Sequence, residues 1–307
     1  MEAQQRAPAL SQDVAVTIVA NTVAASTAAT QADPVRATQR TLSEDDVRAC
    51  AARIHEAERT RQQIGQLSRA HPGMTIADAY AIQRAWVALK IAEGRRLVGH
   101  KIGLTSRAMQ MSSQIDEPDY GDLLDDMLFA AGATVPAERF IVPRVELELA
   151  FVLHHPLEGP GCTLAAVLAA TAHVIPAIEI IDARIESLDR ATGAPRRVTD
   201  TIADNAANAG VVLGRKAFAP DEVDLRWVPA LCYRNGAIEE SGVSAGVLDH
   251  PANGIAWLAN KLAAFDRRLE PEQTILSGSF IRPVPARSGD TFLADFGPLG
   301  SFPLHFA

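Results

Sequence analysis

The sequence predicts a mixed α+β protein, in which a helical N-terminal region precedes a β-rich domain that contains two further helices. Two observations support this fold class. Capped segments with helical periodicity occupy residues 41–95, whereas short apolar runs separated by Gly, Pro and Asp fill most of residues 96–307. The last of these runs are separated by Gly and Pro turns, which is typical of an antiparallel sheet that can close on itself.

Residues 1–40 are expected to form a tail outside the folded domain. They consist mostly of Ala, Thr, Val and Gln and have no hydrophobic period. Their most apolar stretch, residues 14–23, is shorter than the roughly 20 residues that span a bilayer. A signal peptide would carry a basic flank, but Glu2, Arg6 and Asp13 make this flank mixed in charge. We therefore expect a disordered extension.

The composition excludes several classes of function. The chain has 307 residues, of which 48% are hydrophobic, so it can bury a large core. Its 29 basic and 37 acidic residues give a formal charge of -8, which disfavours nucleic acid as a partner, and no segment predicts a membrane span. The three cysteines, Cys50, Cys162 and Cys232, lie far apart and are odd in number, which argues against a disulfide framework or a zinc cluster. A cytoplasmic location is expected.

Two helices are predicted in the N-terminal region. Ser43, with Asp46 three residues later, resembles a capping box, and apolar residues recur at helical spacing as far as Leu67. This pattern predicts one amphipathic helix. Thr75 can cap a second helix, which would end near Gly94.

The β-rich domain follows from short apolar runs between turn residues. These runs predict strands at residues 98–104, around Phe129, and at residues 145–153, 174–181, 210–213, 225–233, 274–276, 290–296 and 300–306. Helices are predicted at residues 163–173 and from His250, where the following proline suits a first helical turn.

Two glutamates carry the first signal of chemistry. Residues 145–153 alternate as a strand does, so Glu146 and Glu148 lie on one face with their Cα atoms roughly 6.6 Å apart. Their side chains can converge on one cation. The alternative is an ordinary solvated strand face, but Ala150 and Val152 continue the same face and make it less polar.

Glu179 lies in the apolar run 174–181, which predicts a buried strand. A buried carboxylate must meet a cation, bind a metal or stay protonated, and an arginine such as Arg144 or Arg184 is the alternative to a metal. With Glu146 and Glu148, Glu179 would form a site of oxygen ligands only. Such a site suits Mg²⁺ or Mn²⁺ rather than zinc.

Lys101 and Asp119 are the other candidates. Lys101 lies between Gly99 and Gly103, which allow a close approach of backbone to a ligand, and its charge can balance an anionic site. A plain surface lysine is the alternative. Asp119 lies in the run 117–121, which reads as a turn-rich loop, so it is either a buried base or a turn cap.

Several of these segments, in this order, resemble the hydratase and decarboxylase branch of the fumarylacetoacetate hydrolase superfamily. The resemblance runs from about Ile54 to the C-terminus through residues 99–106, 117–121, the Glu146/Glu148 strand and residues 176–182, 204–208, 250–254 and 277–287. It implies the fumarylacetoacetase-like rolled, mixed β-sheet core, and an assembly of several identical chains.

The resemblance also implies the site residues and their roles. Glu146, Glu148 and Glu179 would bind one Mg²⁺, with Mn²⁺ possible in its place. Lys101 and Asp119 would act on the substrate, a small 2-oxo dicarboxylic acid. Ser279 and the backbone around Leu104 would hold its C1 carboxylate.

The implied reaction adds water to 2-oxohept-4-ene-1,7-dioate, formed from its 2-hydroxy-2,4-diene tautomer. The product is 4-hydroxy-2-oxoheptanedioate, in the meta-cleavage catabolism of homoprotocatechuate (4-hydroxyphenylacetate). The alternatives are decarboxylation of a 2-oxo-3-enedioate, hydration of 2-hydroxypentadienoate, and a non-catalytic role as a partner that stabilises another pathway enzyme. A distal carboxylate would also need a cation, for which Arg282, Arg287 and Arg184 are candidates.

Overall fold

The computed structural model describes residues 39–307. The tail predicted for residues 1–40 therefore lies almost wholly outside the described residues. The helices are α1 (Glu44–Thr60), α2 (Leu67–Ala70), α3 (Ile76–Ala92), α4 (Arg107–Ser113), α5 (Leu164–Ala170), α6 (Val198–Ala203) and α7 (Pro251–Ala263). The strands are β1 (Leu97–Gly103), β2 (Asp119–Leu124), β3 (Leu128–Phe129), β4 (Thr134–Val135), β5 (Arg144–Leu153), β6 (Thr171–Ile181), β7 (Asn208–Leu213), β8 (Pro229–Arg234), β9 (Ala237–Val243), β10 (Thr274–Leu276), β11 (Val284–Pro285), β12 (Thr291–Asp295) and β13 (Ser301–Phe306).

The predicted helix starts are confirmed by their caps. The hydroxyl groups of Ser43, Thr75 and Thr163 accept hydrogen bonds from backbone N–H groups three residues later. At the start of α7, Nδ1 of His250 accepts a hydrogen bond from the N–H of Ala252. At Thr75 the capping box is complete, because Asp78 also accepts a hydrogen bond from the Thr75 N–H.

Three predicted element bounds were wrong. The first helix does not reach Leu67: it ends at Thr60, where Arg61 takes a left-handed conformation with φ of 55°. Residues 171–173, assigned to a helix, begin strand β6. The strand predicted from residue 225 begins only at Pro229. In each case the apolar pattern continues across a change of backbone conformation, and no Gly in the sequence marks that change.

The strands form two mixed sheets. The larger sheet has the order β2-β1-β10-β5-β6-β7-β3, with β11 also paired to β5, and the smaller has the order β4-β13-β12-β8-β9. β12 and β13 form the predicted antiparallel pair. β10 does not join them, however, because it inserts between β1 and β5 in the larger sheet, parallel to β1.

The helices and both sheets bury one continuous apolar core. It includes Val47 of α1, Trp86 of α3, Phe151 of β5, Ile255 of α7 and Phe306 of β13, each 3% exposed or less. The N-terminal helices thus share their core with the sheets. The boundary at residue 95 between a helical region and a β-rich domain stays a prediction. No helix in the described part of the chain is long and apolar enough to cross a membrane.

Candidate active site

Strands β5 and β6 bring three glutamates together. The antiparallel register places Glu146 directly opposite Glu179, and Glu148 lies two residues further along the same face of β5. One carboxylate oxygen from each of the three lies within 4.8 Å of the other two. The alternation in the sequence therefore does place both β5 carboxylates on one face, and the third comes from the neighbouring strand.

The carboxylate oxygens of this cluster have few protein partners. The backbone N–H of Gly278 donates to Oε2 of Glu148 at 2.7 Å. Oε1 of Glu148 and both oxygens of Glu179 are buried and have no hydrogen-bond partner among residues 39–307. Buried oxygens left without donors are costly unless a cation binds them. The donor set, which consists of carboxylates only, fits a hard divalent cation.

Lys101 of β1 is the cation that meets Glu179. Its side chain is buried, with its Nζ 3.4 Å from Oε1 of Glu179. The surface-lysine alternative is therefore wrong, and neither Arg144 nor Arg184 forms the ion pair considered from the sequence. Arg184 instead donates from its Nε to the carboxylate of Asp204.

Asp119 lies at the start of β2, opposite Gly103 of β1. The loop predicted for this residue was wrong, since Pro118 and Gly121 suggest a turn while the backbone is already extended. Asp119 is 1% exposed, and neither of its carboxylate oxygens has a hydrogen-bond partner in the described chain. A Cβ built on Gly103 would lie 2.3 Å from Oδ1 of Asp119 and 3.3 Å from Nζ of Lys101. Gly103 thus leaves the space in which the two side chains approach each other.

Burial dominates the electrostatics of the cluster. It raises the pKa of Glu146 to about 8, with Glu179 adding to the rise. It also raises the pKa of Glu148 well above the ordinary value, and that of Asp119, which Lys101 partly offsets. Burial alone would lower the pKa of Lys101, but the facing carboxylates outweigh it and hold that pKa above its ordinary value. The cluster therefore carries a charged lysine and an excess of carboxylates, which favours a further cation.

The cluster opens into a cavity of about 770 Å³. Six of the seven predicted site residues line it: Lys101, Leu104, Asp119, Glu146, Glu148 and Ser279. Glu179, fully buried, lies behind this lining. The Ser279 hydroxyl donates to the carbonyl of Ile281 at 2.9 Å, and Leu104 has a left-handed backbone with φ of 54°.

Sequence reasoning missed two features of the cavity wall. Arg196 lines the cavity, although it lies in a polar stretch of the chain where no local pattern distinguishes it from a surface arginine. Ala206 and Ala207 also line it, within a buried turn in which three successive non-glycine residues have positive φ. Asn205 of this turn exchanges two hydrogen bonds with the backbone of Asp122, which fixes the turn to β2. Backbone strain of this kind clusters at functional sites.

Two known proteins match most of the chain. The chain is 64% identical over 256 residues to 2-oxo-hept-4-ene-1,7-dioate hydratase of Escherichia coli, and the match covers 83% of this chain and 96% of that protein. A structure of 4-oxalocrotonate decarboxylase from Pseudomonas putida G7, complexed with magnesium and adipate, has a TM-score of 0.83 at 35% identity, over 88% of this chain and 100% of that chain. No protein-family model matches the chain.

A more distant structure shares the fold alone. Fumarylpyruvate hydrolase from Pseudomonas aeruginosa, in complex with Mn²⁺ and pyruvate, has a TM-score of 0.51 at 14% identity, over 68% of this chain and 88% of that chain. The fold and the high identity to a hydratase lead to one conclusion. The chain belongs to the hydratase and decarboxylase branch of the fumarylacetoacetate hydrolase superfamily.

Proposed function

We propose that the protein is a hydro-lyase that adds water to 2-oxohept-4-ene-1,7-dioate, arising from its 2-hydroxy-2,4-diene tautomer, to give 4-hydroxy-2-oxoheptanedioate. The observation that carries this proposal is the joining of a three-glutamate cluster with Lys101 and Asp119 in one cavity. The 64% identity to a hydratase of this name supports the substrate. The reaction belongs to the meta-cleavage catabolism of homoprotocatechuate.

The metal of the proposal is Mg²⁺, with Mn²⁺ as the alternative. The ion would be held by Glu146, Glu148 and Glu179. Several of their carboxylate oxygens have no hydrogen-bond partner in the described chain, and the distances between the three carboxylates suit a hard cation. When bound, the ion supplies a Lewis acid for the 2-oxo acid, which orients it and stabilises negative charge on its 2-oxo oxygen.

Lys101 and Asp119 would move the protons. Lys101 keeps its proton and lies beside Glu179, so it can deliver a proton to C5 of the 2-hydroxy-2,4-diene tautomer and take the proton from the 2-hydroxyl group. This tautomerisation moves the double bond of the 4-ene to C3 and C4. The resulting double bond is conjugated with the ketone, which makes C4 electrophilic. Asp119, whose raised pKa makes it a stronger base, would take a proton from the water as its oxygen adds to C4 and would then pass that proton to C3.

Two further residues would position the substrate. The hydroxyl group of Ser279 and the backbone around Leu104 line the cavity and would hold the C1 carboxylate. Neither residue needs to exchange a proton with the substrate for this role.

Decarboxylation of a 2-oxo-3-enedioate is the second candidate reaction. It is favoured by the structural match to 4-oxalocrotonate decarboxylase, whose magnesium complex holds a dicarboxylate. Both reactions would use the same glutamate cluster to hold a 2-oxo acid, so the outcome depends on the bond that changes next. Hydration is the first candidate because the identity to a hydratase is higher.

The proposal is tested by following the loss of diene absorbance of 2-hydroxyhepta-2,4-diene-1,7-dioate. We expect rapid loss with Mg²⁺, none after chelation, and a fall of at least about 100-fold in kcat/KM for Glu148→Gln, which removes a ligand charge. Asp45→Asn is the matched control, because Asp45 is an exposed aspartate in the first turn of α1. This variant should keep the wild-type rate. Equal rates with and without metal would contradict the proposal.

The setting of the enzyme is part of the proposal. The cysteines Cys50, Cys162 and Cys232 are free thiols, which fits a reducing cytoplasm. A homo-oligomer is proposed on the family resemblance. Size-exclusion chromatography with light scattering measures it directly.

A further inference from the structure

Four basic side chains line the cavity among residues 39–307: Lys101, Arg144, Arg196 and Arg282. Lys101 is committed to the glutamate cluster at 3.4 Å from Glu179. A substrate with a second carboxylate must therefore find its other cation among the three arginines. They differ sharply in burial and in the partners that they already have.

Arg282 and Arg144 are poorly suited to this role. The side chain of Arg282 is 82% exposed and forms an ion pair with Glu240 at 2.7 Å. Arg144, at the start of β5, is also exposed. An exposed cation is screened by water and salt, so it discriminates weakly between a charged and an uncharged ligand.

The other candidates from the sequence do not reach the cavity. Arg184 is buried, and its guanidinium already donates to the side chain and backbone carbonyl of Asp204 and to the carbonyl of Asn208. Arg287 is absent from the cavity lining. Both were suggested by residue type alone, and neither is in place to bind a substrate.

Arg196 is mostly buried, and its positive charge is only partly balanced by a nearby carboxylate. Its side chain is 19% exposed, and its Nη1 lies 3.9 Å from Oδ2 of Asp204, a carboxylate that Arg184 already binds. Nη1 makes one long hydrogen bond, to the carbonyl of Ile185 at 3.4 Å. Its Nε and Nη2 donate to no acceptor among the described residues. A mostly buried guanidinium with spare donors at a cavity wall favours an anionic ligand.

Arg196 also lies within electrostatic range of the proposed base. Its positive charge opposes the rise that burial causes in the pKa of Asp119. The guanidinium therefore lies in the same cavity as the reacting groups. Arg196 is not on the strands of the glutamate cluster, since it lies in the loop between β6 and α6.

We propose that Arg196 is the specificity-determining residue that binds the distal carboxylate of a dicarboxylic 2-oxo acid. This inference rests on the proposed function of the same site. The planar fork of the guanidinium can donate two parallel hydrogen bonds to one carboxylate. The glutamate cluster and Lys101 receive the 2-oxo acid end of the chain, and Arg196 receives the far end. Monocarboxylic 2-oxo acids then leave a buried charge without its partner.

The test uses two unreactive ligands that differ only in the distal group, 2-oxoheptanedioate and 2-oxoheptanoate. Calorimetric titration with Mg²⁺ present measures how strongly the intact protein prefers the diacid. We expect Arg196→Gln to reduce this preference at least tenfold, since a charge-assisted hydrogen bond is lost, and to change binding of the monoacid by less than about threefold. An unchanged preference, or an equal loss for both ligands, would overturn the proposal.

Two further variants keep the test decisive. Arg282→Gln is the matched control, because it removes an exposed cavity arginine, and it should leave the preference unchanged. Arg196→Lys keeps the charge but not the fork, so it should reduce the preference less than Arg196→Gln does, and it serves if the glutamine variant does not fold. Loss of preference in Arg282→Gln alone would assign the role to that residue. Binding is measured without turnover, so failure of the hydration assay with the wild-type protein is a separate result.

Discussion

Lys101 is the residue on which the chemistry of the site depends most. It is buried, and its Nζ lies 3.4 Å from Oε1 of Glu179. Its charge is held by the carboxylates around it rather than by solvent. A lysine in this position can exchange a proton with the substrate without leaving the cluster.

Replacing Lys101 with methionine should remove turnover and spare the metal site. The methionine fills a similar volume but exchanges no proton, so kcat should fall roughly 1000-fold, within the range of lost general acid–base catalysis. Binding of Mg²⁺, measured by calorimetry, should be retained, since removal of a positive charge favours a cation. Near-normal turnover of the variant would exclude Lys101 from proton transfer.

Gly103 tests the spacing between Lys101 and Asp119. Substitution by alanine would place a methyl group 2.3 Å from Oδ1 of Asp119, so that the carboxylate must move. We expect kcat to fall about 100-fold, as for a displacement of about 1 Å in a reacting group. Gly73→Ala is the control, because nothing lies within 4 Å of its added methyl group. Equal kcat values for the two variants would show that Asp119 is not positioned in this way.

The sequence alone predicted the individual carboxylates better than their surroundings. The alternation around Glu146 and Glu148 and the apolar run around Glu179 place all three without tertiary information. Asp119 was assigned to a loop because Gly121 suggests a turn. The structure gives another reason for Gly121: a Cβ there would lie 2.4 Å from the carbonyl oxygen of Asn205.

At the level of elements, Asp78 ties α3 to the chain that precedes α1. Its carboxylate accepts hydrogen bonds from the backbone N–H groups of Thr41, Leu42 and Thr75. Burial opposes ionisation, but these hydrogen bonds outweigh it and lower the pKa of Asp78. The ionised form thus stabilises the folded state.

Asp78→Asn should therefore lower stability in a pH-dependent manner. The stabilisation is fully present above the unfolded-state pKa of about 3.9 and is lost as pH falls through the lower folded-state pKa. We expect the variant to lose about 2 kcal/mol at pH 7, for a buried charged acceptor, and less as the pH approaches 3. Urea denaturation across this range measures it, with Asp45→Asn as the exposed control. A difference that does not depend on pH would contradict this reason.

The predicted helix starts are correct, whereas among the helix ends only that of α3, near Gly94, was predicted. Ser43, Thr75 and Thr163 carry side-chain oxygens that mark an N-cap in the sequence. The first helix ends at Thr60, and the next residue, Arg61, is left-handed without being the Gly that usually marks such an end. The apolar pattern beyond it comes from Ile64, which pairs with Ile185 instead of continuing the helix.

At the level of the whole molecule, the site depends on pairings between strands that are distant in sequence. β10 inserts between β1 and β5, so that residues 274–276 separate the strand of Lys101 from that of Glu146 and Glu148. Local periodicity predicts each strand but carries no information on this order. The family resemblance implied a rolled, mixed sheet but not this order. Arg196, which neither a motif nor a pattern marks, was likewise found only in the structure.

The central claim is that this site adds water rather than removing CO₂. The most direct measurement is the mass of the product formed from 2-hydroxyhepta-2,4-diene-1,7-dioate with Mg²⁺ in ¹⁸O-labelled water, with the exchangeable ketone oxygen reduced before analysis. The account predicts that the reduced product contains the atoms of one added water and the two hydrogens of the reduction, with ¹⁸O in the hydroxyl group at C4, and no release of CO₂. Release of CO₂ with formation of a shorter monocarboxylic product would contradict it.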